Sequence, residues 1–334
     1  MTLEEKTRDA GPVPPLRVAD LAPGMHPDGV LVVKKKVRRE QPDGSRYLLF
    51  QLGDRSGQIN AVLWHGAELV DAQIAAGDLA RVRGEVQLYQ NTRQIKVQRM
   101  ERADPGAYDL AAFLPTSRQD LDALYERLLT AVDGVQDPWL RRLYGDLFRD
   151  PEVRRRFQVA PAGKGWHHAY VGGLLEHVLS MLDLAAVLAH NYPSLDQDLL
   201  VGGVLLHDIG KIEELVVHSS IDYSNAGKLL GHLVQGCILV ARFIDRIEGF
   251  PDELRTRVLH NIVAHHGAVE RGSPKPPMTL EAMATHLLDH LDAQTQAVAQ
   301  VLLDSHGEDG WTETVRLLER PLYRGSRGRR RESP

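Results

Sequence analysis

The stretch "LLVGGVLLHDIGK", Leu199 to Lys211, decides how the second half of the chain is read. An uncharged apolar run ends in an adjacent histidine and aspartate, His207 and Asp208, followed by a glycine and Lys211. A buried helix ending this way presents a ring nitrogen and a carboxylate oxygen to one divalent cation. Two donors do not complete a coordination shell, so the remaining ligands must lie elsewhere in the chain.

The surrounding sequence supplies candidates. His177 stands in "GGLLEH", His232 in "GH", His265 and His266 in "AHHG", and Asp289 in "HLLDHLDA", each following or interrupting an apolar stretch. Any one such histidine reads most simply as a hydrogen-bonded core residue. Burying so many donors without a common partner is costly, so together they point to metal. His177, His207, Asp208 and Asp289 form a mixed nitrogen and oxygen set that suits Mn, Fe, Zn, Ni or Co. His232 and His265 are surplus for one ion and sensible for a second, with Asp208 bridging, an arrangement that serves phosphoester hydrolysis. Lys211 could clamp a phosphate oxygen or be a solvent-facing lysine at a helix end. His266 replaces or supports His265, and Asp292, one turn after Asp289, orients a ligand or is a surface charge. His167 and His168 in "GWHHAY" contact substrate or hold a loop, and Glu270 ranks lower as a residue at the site mouth.

The 334 residues are 43% hydrophobic and 25% charged, which suits a two-domain globular chain. The single cysteine, Cys237, cannot form an intrachain disulfide and fits a reducing, cytoplasmic setting. The polar, Pro-rich start lacks a signal-peptide core, and no apolar run reads as long enough to span a bilayer, so no membrane partner is expected. Residues 16–103 alternate with period two between turn signals, which predicts five strands in a small closed barrel. This segment carries 14 Lys plus Arg against 10 Asp plus Glu, whereas the whole chain has a net charge of −5. After a linker at 104–120 the period becomes helical and stays so to about Leu322, predicting an all-helical second half. Residues 1–15 and the arginine-rich tail 324–334 are expected to be disordered.

At these motifs a resemblance becomes specific. H, then HD, then D in helical context resembles the HD superfamily of metal-dependent phosphohydrolases. "HHAYVGGLLEHVLSML", "LLHDIGKIEEL", "GHLVQG" and "AHHGAVERGSPKPPMTLEAMATHLLDHLDAQ", with the strand-rich half before them, are similar to YhaM-type 3′-to-5′ exoribonucleases over roughly residues 16–294. The resemblance implies a five-stranded OB-fold barrel at 16–103 and an all-α HD-domain helical bundle at 121–323. It implies that His177, His207, Asp208, His232, His265 and Asp289 bind divalent metal, Mn2+ favoured, with Mg2+, Co2+, Fe2+ or Ni2+ as alternatives. The implied activity is removal of nucleotides from the 3′ end of RNA, and often of single-stranded DNA, as nucleoside 5′-monophosphates. Self-association is also implied. The alternatives are a phosphodiesterase or nucleotidase for small nucleotides and a non-catalytic single-strand-binding protein.

A barrel of this kind tracks a single strand with cations and stacks its bases on exposed aromatics. Lys34, Lys35, Lys36, Arg38 and Arg39 form a basic strand, and Tyr47, Phe50, Trp64 and Tyr89 are stacking candidates. Phe50 and Trp64 read better as barrel core. Tyr89 and Arg93, flanking the last hairpin, are expected to be exposed.

Overall fold

The computed structural model describes residues 13–41, 43–90, 92–108, 112–164, 168–217, 220–305, 310–315 and 318–325. Its contacts divide into one unit of residues 1–118 with 216–222 and another of 119–215 with 223–334.

In the first unit, strands β1 (Asp28–Glu40), β2 (Arg46–Asp54), β3 (Gly57–Leu63), β4 (Leu79–Tyr89) and β5 (Thr92–Arg102) close a barrel in the order β1-β2-β3-β5-β4. All neighbours are antiparallel except the parallel pair β3 and β5. Alternation decides the faces: Leu48, Phe50 and Leu52 join Ile59, Ala61, Leu63, Val86 and Ile95 in the barrel core. Tyr47, Leu49 and Gln51 take the other face of β2. A helix that the alternation pattern had not shown, α1 (Ala67–Gln73), adds Ala67 and Val70 to that core.

Strand β1 is buried on both faces from Gly29 to Val33. Val30 and Val32 pack with Leu79 and Phe113 in a second cluster outside the barrel. Phe113 therefore anchors a segment expected to be linker. Pro14 and Pro15 run beside Val30, with the Val30 amide donating to the Pro14 carbonyl (3.1 Å), so order extends into the segment expected to be disordered. At the other end, the Arg324 amide donates to the Gly310 carbonyl (2.7 Å), which places Arg324 in ordered chain. Residues 1–12 and 326–334, also expected to be disordered, lie outside the described residues.

The second unit is built on helices α2 (Leu121–Asp133), α3 (Pro138–Phe148), α4 (Pro151–Val159), α5 (Gly173–Asn191), α6 (Gln197–Leu206), α7 (Lys211–Glu214), α8 (Asn225–Ile244), α9 (Asp252–Ala264) and α10 (Leu280–Asp304). Asp120, Asp137, Asp150 and Asp196 cap α2, α3, α4 and α6, each accepting from two backbone amides of the first turn. Two features depart from an all-helical reading. Strands β6 (Leu215–Val217) and β7 (Ile221–Tyr223) form a two-stranded sheet between α7 and α8 in sequence, and residues 216–222 of it group with the first unit. Beyond α10 the described residues make the bridges Trp311 with Tyr323 and Val315 with Arg320 rather than a helix.

Helices α5 and α8 are, by length and composition alone, apolar enough to cross a membrane, each with a mean hydropathy of 1.3. That corrects the expectation that no apolar run has the necessary length. Leu174, Leu175, Val178 and Met181 of α5 and Val240, Phe243 and Ile244 of α8 instead pack in the helical core, and both helices carry site histidines.

Candidate functional site

Five imidazoles on or just after helices α5, α6, α8 and α9 turn toward neighbouring donor groups, and each ring is held from behind. His177 on α5 is oriented by Asp292 of α10, whose Oδ2 lies 2.7 Å from its Nδ1. His207 follows α6 and His265 follows α9, and their Nδ1 atoms bond back one turn, to the Val204 carbonyl at 2.9 Å and the Ile262 carbonyl at 2.8 Å. His266 Nδ1 meets the Arg271 carbonyl at 3.1 Å and His232 Nδ1 meets Glu214 Oε1 at 3.2 Å. A carbonyl or carboxylate oxygen can only accept, so each ring carries its proton on Nδ1 and turns an Nε2 lone pair inward.

Two glycines make the convergence possible. A Cβ on Gly210 would lie 2.0 Å from the His232 carbonyl oxygen, so only glycine lets the turn after Asp208 pass this close to α8. Gly231, at φ 69°, breaks α8 just before His232. The break frees the His232 amide, which donates to Glu214 Oε1 at 3.1 Å, so one carboxylate fixes both the backbone and the ring.

The inward atoms form two groups, His177 with His207 and Asp289, and His232 with His265 and His266. In the first, the two Nε2 atoms are 3.3 Å apart and Asp289 Oδ1 is 3.3 Å from that of His177. In the second, Nε2 of His232 and of His266 are 3.2 Å apart. Asp208 stands between them, with Oδ2 3.3 Å from His207 Nε2 and Oδ1 3.5 Å from Nε2 of both His232 and His265. Asp208 Oδ1 is buried without a hydrogen-bond partner, which is costly for a carboxylate. Facing lone pairs and an orphaned carboxylate oxygen fit divalent cations. A third cluster, His168 with His177 and Asp292, is already closed by hydrogen bonds and supports the first group from behind.

The electrostatics agree. Burial alone would raise Asp208, yet Lys211 and His207 hold its carboxyl well below the usual range. Burial would likewise raise Asp289, but the His177 hydrogen bond and the His207 and His265 charges hold it far down. Burial pulls His177 downward, and Asp289 and Asp292 outweigh it, pushing the ring up to about 9. Surroundings that favour a second proton on that ring also favour a metal cation in its place. Burial and the neighbouring rings His265 and His232 press His266 down to about 4.

Lys211 points inward. Its Nζ donates to Asp208 Oδ2 and to the Ala162 carbonyl, both at 2.5 Å, so it orients and neutralises Asp208 instead of facing a phosphate. His168 is buried at φ 47°, with Nε2 3.1 Å from Asp292 Oδ2 and Nδ1 2.9 Å from the Tyr170 hydroxyl, which places it behind His177. His167 lies outside the described residues. Glu270 is exposed in the Val269–Arg271 turn. Sequence reasoning missed Glu214, Ser180, whose hydroxyl donates to Asp292 Oδ1 at 2.5 Å, and the Tyr170 and Glu176 pair. Nothing in the spacing of these residues marks them, because their roles follow from tertiary approach alone.

On the barrel, several expected phosphate contacts are engaged elsewhere. Lys36 Nζ donates to the Asp71 and Ile74 carbonyls at 2.8 and 2.6 Å and pairs with the Asp71 carboxylate, to which Arg38 also bonds. Arg93 donates to the Leu21 carbonyl at 2.6 Å, and Lys34 is partly buried, while Lys35 is exposed. Phe50 is core as expected. Trp64 is not: it is 37% exposed and stacks on Tyr47 with ring centroids 4.6 Å apart. Tyr89 is 57% exposed. All three aromatics line a 590 Å³ groove over β2 to β5.

Comparison with known proteins follows this division. The HD domain family matches residues 174–294, and the OB-fold nucleic acid binding domain family matches residues 31–103. The 3′-5′ exoribonuclease YhaM of Geobacillus sp. (strain WCH70) is 33% identical over 305 residues, covering 90% of this chain and 92% of that protein. Among solved structures, the second OB-fold domain of replication protein A from Methanococcus maripaludis is 24% identical over 26% of this chain and 92% of that one, with a TM-score of 0.22. A small single-stranded DNA-binding protein from Streptomyces coelicolor is 14% identical over 24% of this chain and 93% of that one, also with a TM-score of 0.22.

Proposed function

The chain belongs to the family of the 3′-5′ exoribonuclease YhaM, and from that premise we propose how its two donor groups serve the reaction. It is a metal-dependent 3′-to-5′ exoribonuclease, a phosphodiester hydrolase that joins a nucleic-acid-binding OB-fold to an HD domain. His177, His207 and Asp289 would hold one divalent ion and His232, His265 and His266 a second, with Asp208 placed to serve both groups. The observation that carries this reading is the common tautomer: five rings bond backward through Nδ1 and turn Nε2 into the two donor groups, three of them within 3.5 Å of Asp208.

Divalent ions in such a pair supply Lewis acidity to a water and to the scissile phosphate. The protein's part is positional. Lys211 fixes the bridging carboxylate, and Asp292 and Glu214 fix one imidazole of each group, so little reorganisation accompanies charge build-up. Water oxygen bonds to the last internucleotide phosphorus while the 3′ oxygen of the preceding nucleotide leaves. The phosphate therefore stays on the 5′ carbon of the released nucleotide. Mixed nitrogen and oxygen donors suit Mn2+ as they do Fe2+, Zn2+, Ni2+ or Co2+, and the family resemblance favours Mn2+ among them. The barrel groove holds the strand through stacking on Tyr47, Trp64 and Tyr89, and single-stranded DNA fits the same groove chemistry.

The test uses metal-stripped protein, added Mn2+ and a 5′-labelled single-stranded RNA on a denaturing gel. A ladder that shortens from the 3′ end, stops with a blocked 3′ hydroxyl and vanishes in the His207→Ala, Asp208→Ala variant is expected. An intact oligomer with every divalent metal tried, or wild-type digestion by the variant, would overturn the assignment.

A further inference from the structure

A chain of hydrogen bonds behind the His177 group runs on past Asp292. Glu176 Oε2 accepts from the Tyr170 hydroxyl at 2.8 Å, and that hydroxyl oxygen lies 2.9 Å from His168 Nδ1. His168 Nε2 lies 3.1 Å from Asp292 Oδ2, the atom that also meets His177 Nδ1 at 2.7 Å. Three contacts separate the Glu176 and Asp292 carboxylates, and each contact needs one proton. Burial and the hydrogen bond to Glu176 push the Tyr170 hydroxyl up, so it stays protonated and gives one. His168 gives the other two and is held through both ring nitrogens. The backbone is fixed as firmly. His168 sits at φ 47°, in the left-handed region that a residue with a β-carbon rarely adopts, and its carbonyl accepts from the Ala162 amide at 3.1 Å and the Tyr170 amide at 2.9 Å. A Cβ on Gly173 would lie 2.0 Å from that carbonyl oxygen, so glycine there lets α5 begin against it. Such a conformation persists only where its surroundings over-determine it, and residues of this kind gather at functional sites.

We propose that Tyr170 and Glu176 are positioning residues of the first metal site, acting through His168 and Asp292 on His177. Glu176 sets the direction of the Tyr170 proton, Tyr170 sets the plane of the His168 ring, and His168 holds the Asp292 carboxylate where His177 needs it. Burial would raise the Asp292 carboxyl, and hydrogen bonds from His168, His177 and Ser180 hold it far down, His168 first among them. A carboxylate kept ionised in one orientation keeps His177 donating through Nδ1, with its Nε2 lone pair turned into the donor group. The His232 ring takes its support from Glu214 instead, so the effect falls on one ion. The inference rests on the two-metal reading of the site and adds to it two residues outside the donor groups.

The experiment titrates Mn2+ into the metal-stripped full chain by calorimetry, for wild type, Tyr170→Phe, Asp292→Ala and the double variant, with circular dichroism to check that each is folded. Tyr170→Phe should weaken by about tenfold the step that Asp292→Ala weakens, and leave the other within about twofold of wild type. In the Asp292→Ala background the same substitution should weaken nothing further, because a residue that acts through Asp292 is silent without it. Digestion of 5′-labelled RNA by Tyr170→Phe should need about tenfold more Mn2+, with a smaller change in the maximal rate. Equal weakening of both steps, no weakening in Tyr170→Phe, or additive losses in the double variant would overturn the inference. Absence of any Mn2+ step in the wild-type chain would instead strike the two-metal reading.

Discussion

The group of His177, His207 and Asp289 and the group of His232, His265 and His266 share Asp208 but differ in electrostatic character. The first has Asp289 within it and Asp292 directly behind it, and this acidity pushes His177 up to about 9. The second is three imidazoles, and burial with its neighbouring rings presses His266 down to about 4. Carboxylate-rich surroundings hold a hard cation by charge, whereas an all-imidazole group relies on lone pairs and on the one carboxylate it borrows. If both groups bind cations as proposed, Asp208 is what makes the second group a cation site, and the predictions probe that dependence.

The largest effect is expected for Asp208→Asn. One amide oxygen cannot serve both groups, and the Lys211 ammonium loses its buried counter-charge. Activity should fall by about 10³-fold or more, and elemental analysis should find both ions depleted. Retention of one full equivalent would show that Asp208 does not bridge. The supporting carboxylates separate the groups at smaller cost. Asp292→Asn should weaken metal at the His177 group, and Glu214→Gln at the His232 group, each by about 10- to 100-fold in affinity. Titration of Mn2+ into each stripped variant should show one weakened step and one unchanged. Equal weakening of both steps in either variant would mean that the groups do not act as two sites.

The same contrast explains what could be read from the sequence. The barrel was legible because period-two alternation in "RYLLFQLGD" fixes which residues enter a closed core. His177, His207, His232 and Asp289 stood out because a polar residue at a core-facing position is costly and therefore conspicuous. His265 and His266 could not be separated, since adjacent residues after a helix end point differently only once the turn is fixed. The structure brings both to the second group. Lys211 was misjudged because spacing cannot show that Asp208 and the Ala162 carbonyl take its protons. Trp64 was assigned to the core although it stands one residue beyond Leu63, where the strand ends and a ring can stack outward on Tyr47. Glu214 follows from the approach of α7 to the break in α8, which no periodicity encodes.

That break gives a more modest test. Gly231 sits at φ 69° with nothing closer to a built Cβ than Glu214 Oε1 at 3.9 Å, so Gly231→Ala meets conformational cost rather than a clash. The cost is about 1–2 kcal/mol, visible as a lowered thermal midpoint of the metal-free protein. If α8 straightens to relieve it, His232 loses its backbone bond to Glu214 and only the second Mn2+ step should weaken. An unchanged midpoint would show that the break is not set by the glycine.

The smallest effect concerns the one soft donor near the all-imidazole group. Cys237 lies on α8 five residues after His232, a placement that invites a thiolate contribution to the second site. Its sulfur instead lies 4.0 Å from the Leu259 carbonyl, and burial pushes the thiol up to about 11. A raised thiol pKa leaves the neutral form dominant until the pH approaches that value, so the thiolate fraction at pH 8 is about 10⁻³. Iodoacetamide should therefore label Cys237 about two orders of magnitude more slowly than free cysteine, and faster as pH rises toward 11. Cys237→Ala should keep both metal equivalents and wild-type digestion, because the second group is completed by Asp208 alone. Rapid labelling that is blocked by Mn2+ would place the thiolate among the donors and undo the contrast between the two groups.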